Sequence, residues 1–163
     1  MPPDSPAHNR IARFFDEIDL PYDSSDDGSV LTLTFADGDT DLSWNAVAYD
    51  LDDGELFVFF SVAPDDVPAA QRPTVSEYLT RANFGLPIGS FEMDWDDGEV
   101  RCRTSIHVGS APASSDMIRT IVQTNIGLAM RYFPELAEVV GGQMSPSEAI
   151  ASAESRPVEP PAL

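Results

Sequence analysis

Asp37, Asp39 and Asp41 stand at alternate positions and supply the first three oxygen ligands of a calcium loop. The rest of such a loop is missing. Leu42 occupies the sharp-turn glycine position, and Ala48 stands where the bidentate glutamate belongs. The segment reads as a solvated acidic turn, and no metal is expected there. Two other acidic groups, Asp50-Asp52-Asp53-Glu55 and Asp94-Asp96-Asp97-Glu99, attract cations only loosely. Acid–base work by paired carboxylates needs a pocket that separates their pKa values, and exposed turns offer none. Histidine occurs only as His8 and His107, too few for a histidine-based triad or metal site. Cys102 is the single cysteine, which excludes an internal disulfide and a cysteine zinc cluster. Strand alternation points it inward beside Met93, as a buried structural thiol. Gly85 and Gly89 lack the following lysine of a phosphate loop and serve backbone geometry instead. No catalytic residue and no cofactor are expected.

Composition narrows the setting. A chain of 163 residues supports one well-buried core. No run of 18 apolar residues occurs, so no membrane span is expected. The opening Met1-Pro2-Pro3-Asp4-Ser5-Pro6 lacks the charged-then-apolar pattern of a secretion signal, which makes the cytoplasm the expected location. The net charge of −19 repels nucleic acid and anionic membranes alike. All nine basic residues are arginine, and aspartate outnumbers glutamate 18 to 10. Loss of lysine fits either a GC-rich genome or a salt-rich cytoplasm. The aspartate excess and the extreme charge favour the salt-rich, halophilic one, where ions screen the repulsion.

The spacing of Ile11, Phe14, Phe15 and Ile18 predicts an amphipathic helix ended before Pro21, and Val30 to Phe35 reads as a strand. Leu42 to Leu51 and Leu56 to Val62 form a hairpin around Asp52-Asp53-Gly54-Glu55. A second helix is expected from about Thr74, with Glu77 completing a capping box, to Asn83-Phe84-Gly85. Ile88 to Trp95 and Val100 to Val108 form a second hairpin around Asp96-Asp97-Gly98-Glu99. Ser114 or Ser115 caps a long helix that Pro134 breaks or restarts and Gly141-Gly142 ends. Residues 1–6 read as a flexible leader, 7–142 as a single α+β domain, and 143–163 as a mobile Pro/Ala/Ser/Glu-rich tail. Within that tail, Ser145-Pro146-Ser147-Glu148 has the signature of a short helix. The order α-β-β-β-α-β-β-α describes an antiparallel sheet with helices packed on it.

If each Asp-Asp-Gly-Glu is a four-residue loop, Trp95 faces Val100, Met93 faces Cys102 and Phe91 faces Thr104. The other side then pairs Asp94 with Arg101 and Glu92 with Arg103. The first hairpin is apolar on both sides. Leu51, Tyr49 and Val47 oppose Leu56, Val58 and Phe60 on one, while Trp44, Ala46, Ala48, Phe57 and Phe59 gather on the other. One helical layer covers one face, so the second face needs another cover. Two covers are open: a helix of the same chain, or a partner or ligand. The expected partner or dimer surface is the set Trp44, Ala46, Ala48, Phe57 and Phe59.

The stretch Asn83-Phe84-Gly85-Leu86-Pro87-Ile88-Gly89-Ser90-Phe91-Glu92-Met93-Asp94, followed by Asp97-Gly98-Glu99-Val100-Arg101-Cys102-Arg103, resembles the YbjN family. Tyr132-Phe133-Pro134-Glu135-Leu136 and the closing glycines extend the resemblance, which covers roughly residues 78 to 142. It implies a fold like that of type III secretion chaperones and a sensory or regulatory role without an established activity. It supplies no catalytic residues. The expected function is a non-enzymatic, protein-binding or regulatory homodimer with a protein or peptide partner. The alternative is a small enzyme or ligand-binding protein with a pocket between helices and sheet, where Asn83, Gln123, Asn125 and Tyr132 are the interior polar candidates.

Overall fold

A computed structural model describes residues 8–51, 54–111 and 113–163, apart from the side chains of His8 and Asn9. The expected leader 1–6, and Asp52 and Asp53 of the first turn, lie outside the described residues. The elements are α1 (His8–Glu17), β1 (Asp23–Ser24), β2 (Val30–Ala36), β3 (Ser43–Leu51), β4 (Leu56–Val62), α2 (Arg72–Asn83), β5 (Ser90–Met93), β6 (Val100–His107), α3 (Ser115–Val140) and α4 (Pro146–Ser155). The six strands form one antiparallel sheet in the order β1-β2-β3-β4-β6-β5. This is the expected α+β class, with the two-residue β1 and α4 added to the expected order.

Alternation along each strand divides the residues cleanly. Leu31, Leu33 and Phe35 of β2 face inward, as do Phe91 of β5 and Val100, Cys102 and Thr104 of β6. α1 packs on β3, and α3 lies against β4 and β6. α2 sits beside β5, and α4 packs on α2 and α3.

Three helix details depart from expectation. α2 starts at Arg72 after a 3-10 turn at Ala69–Gln71, with Gln71 at its N-cap and no side-chain cap. Thr74 and Glu77 are therefore inside the helix, and Glu77 pairs with Arg81 instead of closing a capping box. α3 runs through Pro134 without a break. Proline has no N–H for the carbonyl four residues back, so the Met130 carbonyl loses its helical donor. Arg156 supplies the replacement: one guanidinium nitrogen donates to the Met130 carbonyl at 3.2 Å and to the Arg131 carbonyl at 2.7 Å. Tyr78 answers the next carbonyl, that of Tyr132, at 2.7 Å.

The stretch after residue 142, read from its composition as mobile, is instead docked on the body. Ser145 and Glu148 form the expected capping box at the start of α4. Ala149 and Ala153 are fully buried and belong to the core. Small side chains let α4 approach its neighbours closely, which a reading of average polarity does not register. Arg131 caps the other end of α4 through the carbonyls of Ala153 and Arg156, both at 3.0 Å.

The second hairpin turns one residue earlier than expected. Met93 pairs with Val100, Phe91 with Cys102, and Glu92 with Arg101. The closing bond runs from Asp94 N–H to the Glu99 carbonyl at 2.9 Å, so the loop is 95–98 and Trp95 is left exposed. Gly98 fixes this choice. It has φ of +91°, and a Cβ there would stand 2.2 Å from the Val67 carbonyl oxygen. That loop is held from outside, with Val67 N–H donating to the Gly98 carbonyl and Arg72 to those of Trp95 and Asp96.

Candidate functional site

The five residues expected to meet a partner lie under the helices. Trp44, Ala46, Ala48, Phe57 and Phe59 are between 0% and 3% exposed, all within the core of the same chain. Of the two covers left open by the sequence, this side has the chain's own. The first hairpin does have the expected register, with Leu51 opposite Leu56, Tyr49 opposite Val58 and Val47 opposite Phe60. What reverses is the side that the helices take. The reason lies in the β4–β6 pairing, which sets Phe59 beside Thr104 and Phe60 beside Arg103. The dry side of the second hairpin is thus continuous with the Trp44–Phe59 side of the first. The charged side of the second is continuous with Tyr49 and Phe60.

On the covered side a polar network crosses the core. Trp44 Nε1–H donates to Ser61 Oγ at 2.9 Å, and Ser61 donates on to Asn125 Oδ1 at 2.7 Å. The Asn125 amide nitrogen reaches the Cys102 carbonyl at 2.8 Å, and the Phe59 carbonyl and Thr104 Oγ1 at 3.2 Å. Thr104 donates to the Ile121 carbonyl at 3.0 Å. Asn125 therefore ties α3 to β4 and β6 with both ends of its amide engaged. Asn83, also an interior candidate, clamps the β5 edge: its amide donates to the Phe91 carbonyl at 2.9 Å and accepts the Phe91 N–H at 2.7 Å. Tyr132 is buried, with its hydroxyl directed to Glu154. Gln123 is not interior and faces residue 161 instead. Burial pushes the Cys102 thiol far above its ordinary pKa, and Glu92 adds a smaller push. A thiol held protonated this way is a poor nucleophile. Between α1 and the sheet, a crevice lined by Arg10, Ile11, Asp50, Phe57, Ala113 and Ile118 holds about 10 Å³, room for one water at most.

The Asp37 carboxylate is spent on its own turn, accepting from Asp39 N–H at 3.0 Å and Thr40 Oγ1–H at 3.1 Å. Among the described residues, no three of His, Cys, Asp and Glu come close enough to hold a metal ion. His107 is exposed at the end of β6, with Glu55 3.9 Å away.

The open side of the sheet is the larger candidate surface. Val47, Tyr49, Phe60 and Val62 lie half-buried on it, and Val58 is buried between them, outside the main core. Tyr49 meets the Phe60 ring edge-on at 6.0 Å, and the Arg101 guanidinium stands 4.9 Å from the centroid of that ring. Arg101 and Arg103 share the Glu92 carboxylate. On a chain of net charge −19, β2, β3, β4 and β6 place no carboxylate on this face. Acids stand at its margins: Asp23 and Glu92 on the outermost strands, Asp94 and Glu99 beside Glu92 and Arg101, and Glu55 near His107.

This arrangement has relatives. The model of the YbjN family, described as "Putative bacterial sensory transduction regulator", matches residues 7–138. The chain belongs to the YbjN family. Among solved structures it is similar to YbjN from E. coli, described as a "putative transcription regulator", with a TM-score of 0.56 and 12% identity over 96% of this chain and 98% of that one. It is also similar to the ExsC–ExsE complex, with a TM-score of 0.50 and 16% identity over 83% of this chain and 97% of the other. A third similarity is to the Yersinia pestis type III secretion chaperone SycH, solved with a fragment of YscM2, with a TM-score of 0.48 and 13% identity over 76% of this chain and 97% of that one. No curated protein matches by sequence. No described helix is long and apolar enough to cross a membrane. Within the YbjN family pattern, Gly89 has a visible reason here. Its φ is +88°, and a Cβ would stand 2.9 Å from Leu128 and 3.0 Å from Thr104, so the strand entry passes close under α3.

Proposed function

We propose that this YbjN-family protein is a non-enzymatic, protein-binding regulator that acts as a homodimer, and that the open sheet face is where two copies meet. One observation carries the reading: the face is half-apolar and free of carboxylates over its four central strands, on a chain otherwise crowded with them. A second copy brings another net charge of −19, so stable contact requires the patch with fewest acids. Tyr49, Phe60 and Val47 provide apolar area there, and Arg101 and Arg103 offset the partner's field. Two-fold symmetry lets one such patch meet itself. The regulatory or chaperone-like part of the reading is supported by the family description and by the likeness to ExsC–ExsE, a complex of two proteins.

Sedimentation equilibrium in molar KCl tests it. The wild type should run as a dimer, and Phe60→Asp as a folded monomer with unchanged far-UV circular dichroism. A wild type that sediments as a monomer would refute the dimer.

A further inference from the structure

Residues 157–163, Pro-Val-Glu-Pro-Pro-Ala-Leu, run along the outer side of α3, opposite in direction to the helix. Three side chains of α3 donate to main-chain oxygens of this segment and its entry. Arg131 Nη1 reaches the Arg156 carbonyl at 3.0 Å, Gln123 Nε2 the Pro161 carbonyl at 3.3 Å, and Arg119 Nε the Leu163 main-chain oxygen at 2.9 Å. Between the donors lies Gly127, where a Cβ would stand 3.6 Å from the Pro160 ring. Arg119, Gln123, Gly127 and Arg131 are spaced by four residues, so they form one stripe.

The spacing suits an extended ligand. Four residues of α-helix advance about 6.0 Å. Two residues of polyproline II advance about 6.2 Å. Arg119 and Gln123 accordingly meet main-chain oxygens two residues apart, 163 and 161. The stripe supplies donors and the segment supplies acceptors, which suits proline, since it has no N–H of its own. These hydrogen bonds go to the main chain and not to segment side chains, so the stripe reads a backbone conformation. Pro157, Glu159, Pro160, Pro161 and Ala162 stay exposed, and only Val158 and Leu163 are half-buried.

We propose that the outer stripe of α3 is a binding site for extended, proline-rich segments of partner proteins, with residues 157–163 as its resident occupant. A partner segment binds by displacing them. Arg156 stays anchored to Glu135 and the Met130 carbonyl, so release of residues 157–163 leaves α4 and the core in place. The tether holds the resident segment at an effective concentration on the order of millimolar, so an untethered ligand of equal affinity competes poorly until the segment is weakened. The site lies on the helix layer, away from the open sheet face, and does not depend on the dimer.

The test uses the full chain in molar KCl. The heptapeptide Pro-Val-Glu-Pro-Pro-Ala-Leu is titrated into the wild type and into Pro160→Asp/Pro161→Asp, while the Gly127 amide and Gln123 side-chain amide are followed by NMR. The double variant should bind at least tenfold more tightly than the wild type, and adding Gly127→Leu should abolish binding. No response in the double variant, or equal binding by both, overturns the proposal. A second measurement needs no substitution. At high peptide concentration, the Ala162 and Leu163 amides of the wild type should move to free-chain positions as Gln123 responds. If they stay in place while Gln123 responds, the resident segment is not displaced and the proposal fails.

Discussion

Replacing Arg156 by alanine should be among the most damaging single changes in this protein. Arg156 places one nitrogen 2.6 Å from Glu135 Oε1, and the other reaches Glu135 Oε2 at 3.1 Å and the Met130 and Arg131 carbonyls. The Glu135 side chain is 5% exposed, so it cannot recover its hydration once the arginine is gone, and the Ser152 hydroxyl is left to donate to it alone among the described residues. Breaking a buried ion pair from one side costs about 3–5 kcal/mol. The Arg156 side chain is itself 33% exposed, which places the expectation at the lower end, about 3 kcal/mol. Against a total stability on the order of 5–15 kcal/mol, that is a large share. A second substitution isolates the carbonyl contribution. Pro134→Ala restores an N–H four residues after Met130, so it should recover part of the loss. In a double-mutant cycle the two changes should couple by about 1 kcal/mol, the net worth of one hydrogen bond. Urea unfolding at molar KCl measures all four proteins, with equal m-values as the check that the unfolded states are comparable. If Arg156→Ala stays within about 0.5 kcal/mol of wild type, as ordinary surface substitutions do, the latch does not hold the helix through its proline.

Ser61→Ala should cost about 2–6 kcal/mol in the same unfolding assay, since it strands both the Trp44 N–H and Asn125 Oδ1 in the core at about 1–3 kcal/mol each; a loss below about 1 kcal/mol would mean the network has other partners. Thermal stability should rise between low salt and molar KCl, because the Debye length shrinks from about 30 Å at 0.01 M to about 3 Å at 1 M; a flat or falling melting temperature would count against adaptation to salt. The Asp27 carboxylate should titrate at about 2, held down first by the Ser29 hydroxyl, then the Ser29 N–H and the Ser25 hydroxyl. Its folded pKa lies below the ordinary 3.8, so its contribution is complete above that value and fades as pH falls through about 2. A carboxyl midpoint near the ordinary value by NMR would show that the turn does not hold in solution.

Legibility followed the range of the interactions. The register of the first hairpin could be read because alternation on two adjacent strands repeats the same answer at three successive pairs. Ser114 at the cap of α3 and the Ser145–Glu148 box were readable because a cap is a local arrangement of three or four residues. Pro134 misleads for the opposite reason. The donor that replaces its missing N–H comes from Arg156, 22 residues on, and no helix rule contains it. The turn at 95–98 is similar. Asp-Asp-Gly-Glu occurs in both hairpins, yet in the second the contact between Gly98 and Val67, 31 residues away, moves the loop by one position. The docked stretch after 142 was hidden by composition, because alanine counts little in any hydrophobic average although Ala149 and Ala153 are completely enclosed.

The side chosen by the helices shows what two correct hairpins leave undetermined. Each hairpin has an internal parity, and nothing within either one says how the two parities join. Joined one way, Arg101, Arg103 and the Glu92 they share would continue the Trp44 side and lie beneath α3, where three charged groups would lose their hydration. Joined the other way, the three continue the Tyr49 side, keep part of their hydration, and Arg101 rests over the Phe60 ring. The desolvation of charge decides between them. The second hairpin has one side that cannot be buried, so its dry side must take the helices and carries the attached side of the first hairpin inward. The apolar side left over is then the one with arginines for neighbours. An apolar strip and adjacent cations on the least acidic part of a very acidic chain have the same origin in this pairing, which is why the open face, and not the aromatic-rich face beneath the helices, is the surface available to a partner.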